Sequence, residues 1–547
     1  MHNLLKINEF IKYTGLWTVP VITLAVVGTC CALHINILIQ DIVTIVICTL
    51  PVTLYIWSSN MVAKANDIPS FPLFPSKYIT NTNPYYQVTN RYKNINRNVP
   101  CELIGKSPEG IILGKSGNTG KYIRLLPSNG EANHCLVLGG SGSGKTSGVL
   151  LSTIIAAQVT PEDSPTFVYI DVKGELTKKG FINPNKKLAV FNPRDRSGYG
   201  FDFLYGLNEN STENDIYTVM KRLVYALVPV KNSNTDTFWT DAPRNVILAL
   251  FIHGYQYMKL NNIVDLVDYT LSKNIIELIP RVVSETQTNS IVYKLLTPFL
   301  TGEGDASETL SSISMTIINA LSLLASDENL RFLLREKEEK ITPDFPDKGI
   351  SVALQINDAD IEIYASLLNM ILSAFNYQFS QRDENSRSVI LLIDELSRIC
   401  CALHSPIDGL QSLLQIGRSR GVSVLLATQS IDALEDAYSK GALQDMLCNI
   451  TYRCILQCRP DDKSTVDMII NSFGKYDETK KSVSVGKTSS NSYSFEEKDI
   501  IKASDLLALP KEHRVIIIAP SGTYIANTCQ YFKDKKIKKI QEIWRKK

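Results

Sequence analysis

The run Gly139-Gly140-Ser141-Gly142-Ser143-Gly144-Lys145-Thr146 fits the pattern GxxxxGK[ST] in full. A short apolar strand, His134 to Leu138, leads into it, and SGVLLSTIIAAQ follows as an amphipathic helix. Phosphate chemistry needs that order of strand, glycine loop and helix. Glycines let backbone N–H groups curl around phosphate oxygens, and the helix N-terminus adds partial positive charge. Gly139 through Ser147 would form the cradle. The Lys145 ammonium would reach the β- and γ-phosphates, and the Thr146 hydroxyl would hold Mg²⁺. The cofactors implied are ATP and Mg²⁺.

A second group lies far downstream. Val389 to Glu395 reads VILLIDE, an apolar run suited to a strand buried on both faces, ending in two carboxylates. Asp394 is placed to bind the Mg²⁺ shell and Glu395 to polarise an attacking water. Alternation along the strand would aim the two in different directions. Gly417 to Ser430 contains another buried strand, Val422 to Ala427, with Thr428 and Gln429 at its C-terminal end. Gln429 is a candidate γ-phosphate sensor. Arg418 and Arg420 precede that strand. Two readings stay open for them: an arginine finger on a neighbouring subunit's ATP, or a pair that is solvated or binds phosphate backbone. The strand TFVYI ends at Asp171, and DVKGEL puts Asp171, Lys173 and Glu175 at a strand edge. Spacing alone gives these three no role. The catalytic set is thus Lys145, Glu395, Gln429, Arg418 and Arg420, with Thr146 and Asp394 on the metal.

Such groups need an α/β frame. The expected fold is a RecA-like P-loop ATPase with a predominantly parallel sheet, an inserted all-α domain and two N-terminal transmembrane helices. The strand pattern disappears between about Gly206 and Thr342. A helix is expected from about Ala242, capped by Thr240 or Asp241 with Pro243 in its first turn. SSISMTIINALSLLA and ENLRFLLREKEEK also read as helices. The organisation expected is 1–60 anchor, 61–105 linker or collar, 106–205 first nucleotide-binding part, 206–345 all-α domain, 346–530 second nucleotide-binding part and 531–547 basic tail.

The anchor rests on two apolar stretches, about 16–33 and 38–57. Trp17, Tyr55 and Trp57 sit where interfacial aromatics belong. Lys6 and Lys12 precede the first stretch, and Lys64, Lys77, Arg91 and Lys93 follow the second. The loop His34 to Asp41 has no Lys or Arg, so both termini are expected in the cytoplasm. A cleaved signal peptide would lack the second span and would carry the motor away from ATP.

The 547 residues are 44% hydrophobic and 20% charged, a folded composition rather than a disordered one. A net charge of +2 excludes a polycation, so any nucleic-acid contact must use local patches. The 11 cysteines are scattered without a CxxC pair, which reads as reduced thiols in a cytosolic body rather than a zinc ribbon. Cys400, Cys401 and His404 are the nearest approach to a metal cluster. The closing KDKKIKKIQEIWRKK carries eight basic and two acidic side chains, with Ile537, Ile540 and Trp544 on one helical face. Nucleic acid, anionic lipid or a partner would suit it, and so would plain solvent.

Together these features resemble the type IV coupling proteins of the TraG/TraD conjugation family. The similarity runs from the two N-terminal spans to about Phe532. It includes Gly110 to Gly114 before the phosphate loop, and DVKGEL, with Val172 where Pro is usual. It also includes Phe191-Asn192-Pro193, Phe238-Trp239 with Ala242 and Arg244, Asp394-Glu395, Thr428-Gln429-Ser430 and the closing Leu506 to Pro510. The chain departs from the family's DEF, having Leu396 after the carboxylates. The resemblance implies a homo-hexameric, DNA-associated ATPase at the bacterial inner membrane. Its partners would be single- or double-stranded DNA with a relaxase, and secretion-channel proteins. An ATP-dependent receptor for protein substrates is the alternative. An FtsK-like translocase would carry more N-terminal spans and a winged C-terminal domain, and neither is read here.

Overall fold

A computed structural model describes residues 99–547, apart from 118, 128–131, 161–163, 231–236, 301–304, 385, 436, 458–460, 485–489 and 508–514. The two anchor stretches, nearly all of the linker and residues 508–510 of the closing motif lie outside the described residues.

The frame is a nine-stranded sheet. In chain order its strands are β1 (Cys135–Leu138), β2 (Thr166–Asp171), β3 (Lys187–Phe191), β4 (Ile350–Gln355), β5 (Val389–Ile393), β6 (Val422–Thr428), β7 (Tyr452–Ile455), β8 (Val515–Ala519) and β9 (Gly522–Ala526). Across the sheet they run β9-β8-β7-β1-β6-β5-β2-β4-β3. All neighbours from β7 to β3 pair in parallel, and β8 and β9 add an antiparallel hairpin at one edge. The predominantly parallel α/β sheet expected from sequence is therefore present.

Both faces of the sheet are covered, which explains the unbroken apolar strands. Along β5, Val389, Leu391 and Ile393 face one core while Ile390 and Leu392 face the other. Strand β1 divides the same way, Leu136 and Leu138 against Cys135 and Val137. One face carries α2 (Ile361–Ser380), α3 (Leu396–Leu403) and the helices that run from Glu213 to Glu336. The other carries the glycine-loop helix α1 (Lys145–Ala157), a three-stranded antiparallel sheet built from residues 104–125, and α4 (Lys535–Lys546).

Helix α1 is wound as a π-helix over Lys145–Leu150 and as an α-helix over Leu151–Ala157. It is not amphipathic, as its sequence suggested: every residue from Gly148 to Ala157 is buried. Its polar side chains bond into the covering layer. The Thr153 hydroxyl accepts from the Ile112 N–H at 3.0 Å, and the Ser152 hydroxyl donates to the Cys529 carbonyl at 2.7 Å.

The helical segment leaves and rejoins the sheet through a two-residue parallel tie, Gly200–Phe201 with Lys340–Ile341. Its helices share one continuous core with the sheet face beneath, Val246 and Phe251 being grouped with Leu136 and Val168. The helix expected from Ala242 begins earlier, at Phe238, and runs to Gln256. The Thr237 carbonyl accepts from the N–H groups of Thr240 and Asp241, closing the first turn before Pro243 is reached. Asp241 does not cap but pairs with Arg244 at 3.3 Å. The helix expected through ENLRFLLREKEEK stops at Glu336, and Lys340 is already in the tie.

One described helix, Asp305–Ser326, is long and apolar enough over Glu308–Ser326 to cross a bilayer. Its Ile313, Ile317, Leu321 and Leu324 are packed in the core.

Candidate nucleotide-binding site

Strand β1 delivers the glycine loop at the C-terminal edge of the parallel sheet, where ligands of such sheets bind. The Gly139 N–H donates to the Thr428 carbonyl at 3.3 Å, tying the loop to the end of β6. Gly144 holds φ at 95°, a conformation that favours glycine, and a Cβ at Gly139 would stand 2.6 Å from the Ser143 hydroxyl and push it aside. Lys145 is buried and its ammonium donates back to the Gly139 carbonyl at 2.6 Å. Ser143 Oγ is buried without a hydrogen-bond partner. Above the loop lies a cleft of about 360 Å³, bounded by the loop itself and by Lys173 and Glu395.

Strand β5 stops at Ile393, so strand alternation does not set the two carboxylates apart. The turn does: Glu395 adopts φ 59° and ψ 44°, a left-handed conformation, and heads α3. For a non-glycine residue that costs about 1–3 kcal/mol. Asp394 is 3% and Glu395 6% exposed. Burial pushes the Asp394 carboxyl up to about 6, and the Glu395 carboxylate adds to it, while Lys173 and Lys145 oppose the rise. Lys173 Nζ stands 3.6 Å from Glu395 Oε1. Asp394 Oδ1 and Glu395 Oε2 are buried with no hydrogen-bond partner. Hard oxygen donors left unsatisfied beside a phosphate loop fit Mg²⁺, which takes one or two protein ligands and keeps water for the rest. Thr146 and Asp394 are the residues that would hold it.

Asp171 has a different task. Its buried carboxylate accepts from the N–H groups of Glu175, Leu176 and Thr177 and from the Thr177 hydroxyl at 3.0–3.3 Å. Burial raises its pKa and those bonds oppose the rise. Asp171 thereby shapes the loop that carries Lys173 and Glu175 to the cleft.

The other candidates stand apart. Gln429 follows β6 at the correct edge but is exposed and does not line the cleft. Arg418 and Arg420 precede β6 and so lie at the opposite edge, roughly 20 Å away at ~3.3 Å per strand residue. Arg420 and Arg382 exchange bonds, each guanidinium donating to the other's carbonyl, with Arg382 held by Asp347 at 2.8 Å. Arg418 is exposed. No group of three or more His, Cys, Asp or Glu side chains suited to a metal occurs among the described residues. Cys401 donates to the Ala433 carbonyl, and Cys400 is buried.

The cleft also has walls that sequence did not announce: Phe181, Lys178 and Tyr531. No local motif marks them, and Tyr531 comes hundreds of residues after the loop it faces.

Fold and cleft define a P-loop nucleotide-binding α/β protein. The family described as "Type IV secretory system Conjugative DNA transfer" matches residues 87–546, and the chain belongs to it: it is a type IV coupling protein. Protein VirD4 of Rhizobium radiobacter is 20% identical over 468 residues, 79% of this chain, and the chain spans 62% of that relative's length. The fold is that of the bacterial conjugative coupling protein TrwB. Its unbound form superposes with a TM-score of 0.59 at 16% identity, covering 78% of this chain and 88% of that one. The TrwB complex with ADP and Mg²⁺ gives 0.59 at 17% identity, covering 79% and 90%.

Proposed function

We propose that this protein is a membrane-anchored ATPase that couples ATP hydrolysis to delivery of a relaxase–DNA complex to a type IV secretion channel. The carrying observation is the pair of buried carboxylates, Asp394 and Glu395, with unsatisfied oxygens beside a complete phosphate loop. Membership of the conjugative DNA transfer family supports the cargo. The inner membrane, with both termini cytoplasmic, and a homo-hexameric assembly belong to the same reading.

Each residue then has a task. Lys145 swings from the Gly139 carbonyl to the phosphates. Thr146 and Asp394 would hold Mg²⁺, which would supply charge neutralisation there. Glu395 takes the proton of the attacking water, and Lys173 steadies its carboxylate. Gln429, at the end of β6 but outside the cleft, would turn inward to sense the γ-phosphate, and Arg418 acts on a neighbouring subunit's site, a contact worth ~10³–10⁵ in rate where such arginines operate.

The test is Mg²⁺-dependent ATP hydrolysis by the full chain in detergent, with and without single-stranded DNA. Hydrolysis raised by DNA and abolished by Lys145→Ala supports the proposal. Hydrolysis indifferent to DNA but raised by a secreted protein moves the cargo to polypeptide. Unchanged turnover in Lys145→Ala would remove the phosphate loop from the chemistry.

A further inference from the structure

Helix α4 has two unlike faces. Ile537 and Trp544 are buried and Ile540 is half-buried, whereas Lys535, Lys536, Lys538, Lys539, Arg545 and Lys546 are exposed. Charge is concentrated on the outer face. Lys533 to Lys547 carries eight basic and two acidic side chains, a net +6, in a chain whose net charge is +2, so the rest of the chain is net −4. Both acids are engaged. Asp534 is buried, caps α4 through the N–H groups of Lys536 and Ile537, and pairs with Lys115. Glu542 stands 4.0 Å from Lys538.

Apolar side chains interrupt the basic surface. Phe532, just before α4, is 45% exposed, and Ile543 is 48% exposed. Ile543 lies one turn from both Lys539 and Lys546. Charge is what attracts a phosphate backbone, whereas an interface of headgroups and acyl chains also takes apolar groups set among lysines. Seven of the eight basic residues are lysine. An ammonium on a flexible stem suits a fluid layer of headgroups, while planar, bidentate recognition of phosphate favours arginine.

The position of α4 agrees with that chemistry. The Lys536 ammonium donates to the Lys106 carbonyl at 2.8 Å, and Val99, where the described chain begins, packs against the same core as Ile537 and Ile540. The helix is thus fixed to the part of the motor that follows the proposed anchor. Gly180 seats its other end, where a Cβ would stand 3.1 Å from Arg545 Cβ. Exposed Lys106 and Lys179 extend the basic surface. The helical segment covers the opposite face of the sheet and does not shield α4. The roughly 40 residues between the second apolar stretch and Val99 could span up to about 130 Å. An anchor alone therefore leaves open which side of the motor faces the bilayer.

We propose that the exposed face of α4 docks on the anionic headgroups of the bilayer that holds the anchor, with Phe532 and Ile543 entering the headgroup layer. This rests on the membrane-anchored reading. The contact turns the side of the motor that bears α4 toward the membrane and the helical segment away from it.

The experiment is lysine footprinting of the full chain reconstituted into vesicles of phosphatidylcholine, alone or with about one part in three phosphatidylglycerol. Acetylation by an N-hydroxysuccinimide ester is followed residue by residue in mass spectra. Lys535, Lys539 and Lys546 are expected to react about tenfold more slowly on the anionic vesicles, the scale of one or two lysines drawn to such a surface. Lys259 and Lys273, exposed on the helical segment, keep their rates. High salt restores the faster rates. Lys535→Gln with Lys539→Gln is expected to remove most of the protection at Lys546, and full protection in that variant overturns docking by charge. Equal rates on both vesicles overturn the proposal and leave α4 a solvated face. Protection by a single-stranded oligonucleotide on neutral vesicles, with none from anionic lipid, assigns the face to nucleic acid and overturns it as well. The anchor is read separately, from retention in both vesicles through an alkaline carbonate wash that neutralises the lysines. Loss from both in the wash overturns the anchor, while anionic protection at neutral pH still supports docking of α4.

Discussion

At the scale of single residues, the site is a set of local costs that ligand binding would relieve. Asp394 shows the sign most clearly. Its folded carboxyl titrates at about 6 against an ordinary 3.8, because burial disfavours its charge. Between those values the folded protein holds a proton that the unfolded chain has released. Stability from this group is therefore lost as pH rises from about 4 to 6, and it stays lost above. Asp394→Asn is expected to stabilise the ligand-free protein by about 2–3 kcal/mol at pH 7.5 with little effect near pH 4, read from urea unfolding. An equal effect at both pH values would show that the gain is not electrostatic. With Asp394 as the proposed ligand, Mg²⁺ would displace the same proton, so its apparent affinity should fall about tenfold per pH unit below about 6 and level off above 7. Glu395→Gln is expected to bind ATP and leave it uncleaved in single-turnover assays; normal cleavage would take Glu395 out of the water-activating role. The phosphate loop and the carboxylate pair were legible in sequence because each is contiguous. The left-handed turn at Glu395 was not, since nothing in DEL requires it. Phe181 and Tyr531 were not, since only the fold brings them together.

Elements were readable where their pattern had a single explanation. The continuous apolar runs of β2, β5 and β6 demanded two covered faces, and they have them. Helix α1 misled because Ser152 and Thr153 look like a solvent face, whereas they bond to a layer built from distant segments. The helix at Phe238 misled because Thr240, Asp241 and Pro243 imitate a helix start, about four residues after the true one. The basic closing segment left its role open; α4 in fact buries Ile537 and Trp544. Trp544→Ala is expected to cost ~3–5 kcal/mol in chemical denaturation, the usual loss for a buried aromatic. Lys538→Ala, on the exposed face, should fall within about 0.5 kcal/mol. Equal effects would mean that α4 is not docked in solution.

For the whole molecule, the distance between Arg418 and its own phosphate loop makes a statement about assembly. Arg418, at the far edge of β6, cannot reach its own phosphate loop, so in the proposed assembly it would serve another copy's site. Arg418→Ala and Lys145→Ala, each inactive alone, are expected to recover part of the hydrolysis when mixed, because some interfaces then hold an intact lysine and an intact arginine. No recovery, in a mixture shown to exchange subunits, would leave Arg418 as surface charge. The strand order has a consequence in time as well. Strand β1 is flanked by β6 and β7, and bonds such as that from Val424 to His134 join residues 290 positions apart. At ~5–20 residues per second of synthesis, β1 waits roughly 15–60 s for its first neighbour. The newborn chain must therefore carry an unpaired apolar strand and an unassembled phosphate loop through most of its translation. Until β6 is made, the Gly139 N–H has no Thr428 carbonyl to tie the loop in place.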